Sequence, residues 1–269
     1  KTAGLSGMAA EASPVLGGPA SSVLATDISG AVSWADQCRK KGKMRAWVDM
    51  PDGGMLWTAS LILLRYLEVD AGVDWTGKRV LEIGSGCGHL ATGLARLGAH
   101  VTATESAEQK VSGNGFGHMQ ASVQRLLAER PDSAEPAGQN GALPAGKGPD
   151  GVSRGGTVRF RKLHWGLDDL PPADWSGFDV VILSELYFFT ELHEALLGVL
   201  RHVLHPGMVA YSIFVDRPFS LGFLALLDDD QSFELEVAEF KEDFEHDCNE
   251  DDTENPIYFH TITRRSLKR

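Results

Sequence analysis

The chain has 269 residues, 43% hydrophobic and 23% charged, with 25 basic residues against 37 acidic ones and a net charge of −12. Such a composition suits a globular chain long enough for one large α/β domain, and its acidity excludes a general nucleic-acid binder, whose affinity comes from neutralising phosphates. Three cysteines (Cys38, Cys87, Cys248) are too few and too scattered for a disulfide framework or a zinc site, and no apolar run approaches the roughly 18 residues of a membrane span. A reducing, cytoplasmic setting is the expectation, with an organelle left open, and no metal is expected.

Residues 1–30 are rich in Ala, Gly, Ser and Pro without a hydrophobic period, which predicts a mobile arm ahead of a single domain over residues 31–269. Residues 56–67 carry Leu56, Ala59, Leu63, Tyr66 and Leu67 on one helical stripe, with Gly53-Gly54 as the turn before it. Residues 80–83 read as a short strand; the glycine turn after them opens a helix to Leu97, Gly98 ends it, and residues 101–104 form the next strand. This alternation predicts a parallel, doubly wound sheet. Residues 129–156 interrupt it with Gly, Pro and Ala and one bulky aliphatic, Leu143, which predicts a disordered surface insertion.

The strand pattern resumes with the alternation Val158-Arg159-Phe160-Arg161. Residues 179–183 are nearly all apolar, as in a central strand covered on both faces. A helix over 192–204 follows, ended by His205-Pro206-Gly207, then a strand over 208–214. Residues 233–240 and 257–262 predict a closing antiparallel pair. Between Asp228 and Glu254 there are 14 acidic residues and one lysine. Two readings stay open there: a solvated face, or an acidic rim at the mouth of a site that attracts a basic partner.

The segment Glu82-Ile83-Gly84-Ser85-Gly86-Cys87-Gly88 stands where a strand turns into a helix, and its glycines let a ligand approach the main chain. Nicotinamide and flavin enzymes use related loops, so two carboxylates carry the distinction. Glu82, ahead of the loop, repels a pyrophosphate and suits a cationic amine. Glu105, about 20 residues on at the end of the next strand, suits a pair of ribose hydroxyls.

Four segments resemble a known family. They are Gly53-Gly54-Met55-Leu56-Trp57 with Ala59 and Leu63-Leu64-Arg65-Tyr66-Leu67; Val80 to Gly88 with Glu105; Leu163-His164-Trp165-Gly166; and Phe178-Asp179-Val180-Val181-Ile182-Leu183-Ser184-Glu185-Leu186-Tyr187. Together they resemble the seven-stranded S-adenosylmethionine-dependent methyltransferases, and more narrowly the methyltransferase-like group of protein lysine and histidine methyltransferases. The resemblance runs from about residue 53 to residue 265 and skips the insertion. It implies an α/β, Rossmann-like seven-stranded sheet, mostly parallel with an antiparallel C-terminal strand. It implies S-adenosylmethionine as cofactor, held by Trp57, Glu82, Gly84, Ser85, Gly86, Glu105, Trp165 and Ser184. In the group's acceptor motif, Asp-x-x-Tyr, Glu185 takes the aspartate slot and Phe188 the tyrosine slot. Glu185 is thus the candidate to orient the acceptor nitrogen, and Tyr187 the candidate to supply the missing hydroxyl. The activity implied is methyl transfer to a lysine or histidine side chain of a basic protein by a monomer that engages neither nucleic acid nor membrane. A small-molecule N-methyltransferase and a scaffold within a larger assembly remain as alternatives.

Overall fold

A computed structural model describes residues 54–68, 71–107, 115–128, 155–166, 175, 177–216, 221–238 and 257–266 in full, and the backbone alone of 43–45, 47–49, 69, 146–147, 153–154, 239–240 and 245–247. The arm of residues 1–30 lies outside the described residues, as does most of the insertion.

In chain order the elements are β1 (Lys43–Arg45), β2 (Trp47–Asp49), β3 (Met55–Trp57), α1 (Thr58–Val69), β4 (Arg79–Ile83), α2 (His89–Arg96), β5 (His100–Glu105) and α3 (Phe116–Ala128). Then come β6 (Gly146–Lys147), β7 (Ser153–Arg154), β8 (Thr157–Lys162), β9 (Val180–Ser184), α4 (His193–Val203), β10 (Val209–Val215), α5 (Gly222–Asp229), β11 (Phe233–Phe240), β12 (Glu245–Asp247) and β13 (Ile257–Arg264). Seven strands form the central sheet in the order β11-β13-β10-β9-β4-β5-β8. The β10–β9, β9–β4, β4–β5 and β5–β8 pairs are parallel, and β13 runs antiparallel to both β10 and β11. The expected sheet, with its antiparallel last strand, is the one observed. Short pairs β1–β12, β2–β3 and β6–β7 lie outside it.

Both faces of the sheet are covered, and the strand residues divide accordingly. Val80, Val101, Ala103, Val180 and Ile182 pack with Leu63, Leu67, Leu90, Leu94 and Val123 of α1, α2 and α3. Leu81, Ile83, Val181 and Leu183 pack with Leu196, Leu200, Phe223 and Leu227 of α4 and α5. Alternate side chains of a strand point to opposite faces, so a strand buried on both reads as a continuous apolar run, as at residues 180–183. Each fully buried Leu or Val contributes roughly 1.5–3 kcal/mol.

Three features depart from the sequence reading. The first helix begins at Thr58 rather than Leu56, because Met55, Leu56 and Trp57 pair with Asp49, Val48 and Trp47. Helix α3 was not anticipated; it buries Met119, Ser122, Val123, Leu126 and Leu127. Helix α5 was not anticipated either, and it buries Phe223 and Leu227.

The turn from β4 into α2 leaves no room for a side chain at its last glycine. Gly88 has φ +74°, and a Cβ there would stand 2.1 Å from Cγ2 of Val123 on α3. Gly88→Ala combines a left-handed backbone with an overpacked contact and should lower stability by about 2–4 kcal/mol in denaturant unfolding.

Candidate active site

The parallel strands end together at one edge of the sheet, and the chain leaves β4 and β9 toward opposite sides there, which is where open α/β sheets place their ligand crevice. A cavity of about 510 Å³ occupies this edge. Its wall takes Gly84 and Gly86 from the loop after β4, Glu105 and Ser106 from the end of β5, Leu163 to Trp165 from beyond β8, and Ser184 to Leu186 from the end of β9. Trp57, at the junction of β3 and α1, closes another side with Phe188, Phe189, Glu191 and Leu192.

The glycine loop is fixed chiefly from β5. Glu105 Oε2 accepts the Gly86 N–H at 2.8 Å, and its Oε1 accepts the Ser106 N–H at 2.9 Å. Ser85 N–H donates to the Thr104 carbonyl at 2.8 Å, and the Thr104 hydroxyl donates to the Glu82 carbonyl at 2.7 Å. Gly84 has φ +66°; a Cβ on it would meet Cδ2 of Leu186 at 2.7 Å and Cζ2 of Trp165 at 3.4 Å. Leu186 and Trp165 therefore pack directly on the loop backbone at Gly84, where a side chain would displace them.

Glu82 is buried beneath the loop, and burial pushes its carboxyl up to about 8, with the Glu105 charge adding to the rise. Among the described residues its Oε2 has no hydrogen-bond partner, and neither has the buried Ser184 hydroxyl at the adjacent strand end. Burial also raises Glu105, to about 7, against the pull of its two backbone N–H donors. Three carboxylates (Glu105, Glu185, Glu191) line the cavity, and no Lys or Arg is among the described lining residues. Such a wall attracts a cation and repels a pyrophosphate. The unpartnered Glu82 and Ser184 oxygens, the glycine loop and the acidic lining fit S-adenosylmethionine, which carries an ammonium and a sulfonium. Among the described residues no cluster of His, Cys, Asp and Glu is suited to a metal.

Glu185 is the one described non-glycine residue at positive φ, +57°. Backbone in that region costs about 1–3 kcal/mol and persists where its surroundings over-determine it. Here the Glu185 N–H donates to the Ile213 carbonyl at 3.0 Å, and the Val215 N–H donates to Glu185 Oε1 at 2.8 Å. The carboxylate is thereby moored to the end of β10 and buried at the cavity wall.

The candidate residues meet with one exception. Trp57, Gly84, Gly86, Glu105, Trp165, Ser184 and Glu185 line one cavity; Glu82 and Ser85 support the loop from below. Tyr187 does not join them. It is 1% exposed, between Phe214 (ring centroids 5.4 Å) and Phe223 (4.6 Å), and desolvation holds its phenol well above the usual range. His193 Nε2 donates to its carbonyl at 2.7 Å, which fixes it on the α4–α5 side. Phe188 takes the place at the cavity, its ring 5.4 Å from that of Trp57.

The acidic run is placed only in part: it begins at the edge of the sheet opposite the cavity, and β11 then carries it to the cavity's edge, where Phe240 pairs with Ile257 and Ile257 with Val215. Phe233 pairs with Arg264 and Val209 with Thr263, so Asp228, Asp229 and Asp230 stand at the opening edge of the parallel strands, across the sheet from the cavity. Asp230 is bound there by Arg201 at 2.7 Å. Most of residues 241–256 lies outside the described residues. The acids at the cavity itself, Glu185 and Glu191, were read from the sequence only in part. Glu191 and Phe189 were missed, although four large residues in a row after a strand end (Leu186 to Phe189) signal that one side of the run must face open space.

Both raised carboxyls favour the folded state below the ordinary carboxylate range, and that contribution is lost as pH rises through about 7 and 8. The ligand-free protein should therefore lose thermal stability from about pH 5 to pH 8, and Glu82→Gln should flatten that slope. An ammonium docking on Glu82 requires the carboxylate, so S-adenosylmethionine should bind more tightly across the same window and release up to about one proton. Calorimetry in buffers with unequal heats of ionisation reads that proton directly.

A family model described as lysine methyltransferase matches residues 39–113. Protein N-lysine methyltransferase METTL21A of Danio rerio is 27% identical over 158 residues, which cover 58% of this chain and 58% of that protein. EEF1A lysine methyltransferase 3 of Mus musculus is 28% identical over 195 residues (70% and 67%), and protein-lysine methyltransferase METTL21E of Bos taurus is 34% identical over 154 residues (56% and 43%). The chain thus spans from 43% to 67% of the length of these relatives. The sheet order, the glycine loop and its two carboxylates thus stand beside a similarity, over these stretches, to protein lysine methyltransferases.

Proposed function

We propose that this chain transfers the methyl group of S-adenosylmethionine to the side-chain nitrogen of a lysine in a basic protein. The observation that carries the reading is the lining of the cavity: three carboxylates and, among the described residues, no Lys or Arg, with Trp165 over the glycine loop and Trp57 beside Phe188. Bound S-adenosylmethionine supplies an electrophilic methyl on a sulfonium, and displacement at that carbon needs chiefly alignment and an uncharged nucleophile.

In this reading Glu82 and Ser184 take the ammonium and carboxylate end of the cofactor. Glu105 takes the ribose hydroxyls on the lone pairs left by its two N–H donors. Glu185, moored through Oε1 to Val215, holds the acceptor amine in line while its proton passes to water. Tyr187 has no part in it. A basic acceptor accords with the net charge of −12, and Glu191 at the cavity is the described acid nearest to meeting it. The relatives' names support lysine over histidine as acceptor. Among the described residues no helix is long and apolar enough to cross a membrane, and the buried thiol of Cys87 suits a reducing, cytoplasmic setting. A monomer is the simplest state for this work.

Incubation with radiolabelled cofactor and a lysate depleted of its own methylation should label one basic protein band at lysine. Glu185→Gln keeps the oxygen that Val215 donates to and removes the charge, so it should leave the melting temperature and cofactor affinity nearly unchanged. Transfer should fall on the order of 100-fold. Label confined to a metabolite fraction would support a small-molecule acceptor instead, and tight cofactor binding with no labelled product in any lysate would support a scaffold.

A further inference from the structure

We infer that Trp57, Phe188 and Phe189 form an alkylammonium subsite, which holds the acceptor by the charge and methyl surface of its nitrogen and not by counting its N–H groups. The placing of the acceptor at this end rests on the proposed function; the binding property does not.

Phe188 is in ring contact with both Trp57 and Phe189 at the cavity wall. Centroids of Trp57 and Phe188 are 5.4 Å apart with planes 33° from parallel, and those of Phe188 and Phe189 are 3.8 Å apart at 41°. All three are half-buried and line the same cavity as Glu185 and Glu191, which places aromatic surface and carboxylates around one space. A cation within about 6 Å of such a face is drawn by the ring quadrupole, more strongly when desolvated. The two carboxylates add long-range attraction of the same sign, and no Lys or Arg is among the described lining residues.

The chemistry of position 188 gives the subsite its selectivity. A hydroxyl there would be a hydrogen-bond partner for an N–H and would lose that bond as methyls replace hydrogens. Phe188 has none, and the nearest phenol, Tyr187, is turned into the core against Phe214 and Phe223. An aromatic face attracts an ammonium whatever the number of its N–H groups, and each added methyl brings apolar surface against the rings. A wall of this kind retains mono- and dimethylated amines as well as the unmethylated one, and it accommodates the quaternary product.

The test separates charge from shape without any methyl transfer. Choline and 3,3-dimethyl-1-butanol have the same outline, one ending in trimethylammonium and the other in tert-butyl. Ligand-observed NMR titration of the full chain should show choline binding about tenfold more tightly than the alcohol. Nα-acetyl-trimethyl-lysine amide should likewise bind more tightly than Nα-acetyl-lysine amide. Phe188→Leu keeps an apolar side chain of similar bulk, and its melting temperature checks the fold; it should reduce the choline preference to within about threefold. Equal binding of choline and the alcohol to the native protein would overturn the inference. So would a preference unchanged in Phe188→Leu, which would assign the attraction to Glu185 and Glu191 alone. A positive choline result with no protein labelled in any lysate would leave the subsite standing and remove the proposed acceptor.

Discussion

Glu105 reaches from the end of β5 to the N–H of Gly86, and that one carboxylate ties together the two strand ends between which the cavity opens. Without it the loop after β4 would be held to its neighbour by the Ser85 and Thr104 bonds alone, and two backbone N–H groups would lose their acceptor. A charged acceptor on a backbone N–H is worth about 1.5–3 kcal/mol. The same carboxylate is half-exposed to the cavity, so the interaction that sets the loop geometry also sets the charge a ligand meets. Glu82 below and Glu185 opposite then complete an enclosure in which every ionisable lining side chain other than His164 is an acid.

The acceptor side is built by a different device. A left-handed backbone at Glu185 would be costly anywhere, and here the end of β10 holds it from two directions, through Ile213 and Val215. The turn also decides the fate of the four large residues that follow. Leu186 covers the glycine loop, Tyr187 drops between α4 and α5, and Phe188 and Phe189 stay at the cavity. Strain at one residue thus exchanges a hydroxyl for a phenyl ring at the site. In the proposed reading an acceptor then meets a phenyl ring there and not a hydroxyl.

Most of the sheet was legible because strands buried on both faces announce themselves as short apolar runs between turn residues; Val180 to Leu183 is the plainest case. The glycine loop was legible as a tight strand-to-helix turn because three glycines stand between an apolar strand and a helical stripe, with a carboxylate at the end of the next strand. Helix α3 was not, since Gly117 opens it and Ser122 interrupts its apolar stripe of Met119, Val123, Leu126 and Leu127. Tyr187 was misplaced for a physical reason. Alternation tells which side chains share a face only while the backbone stays extended, and at Glu185 it does not. Composition gives the charge of the acidic run and not the edge of the sheet where it lands; strand pairing puts its start, ahead of Phe233 beside Arg264, at the far edge and its continuation, from Phe240 beside Ile257, at the edge of the cavity.

The central claim is that an acid-lined glycine loop selects a cationic cofactor over a dinucleotide. Calorimetric titration of the native chain with S-adenosylmethionine and, side by side, with NADH tests it most directly. The account predicts binding of the first, on the order of micromolar or about −8 kcal/mol, and no measurable heat with the second. Equal affinity for NADH, or no binding of S-adenosylmethionine at millimolar concentration, would contradict it.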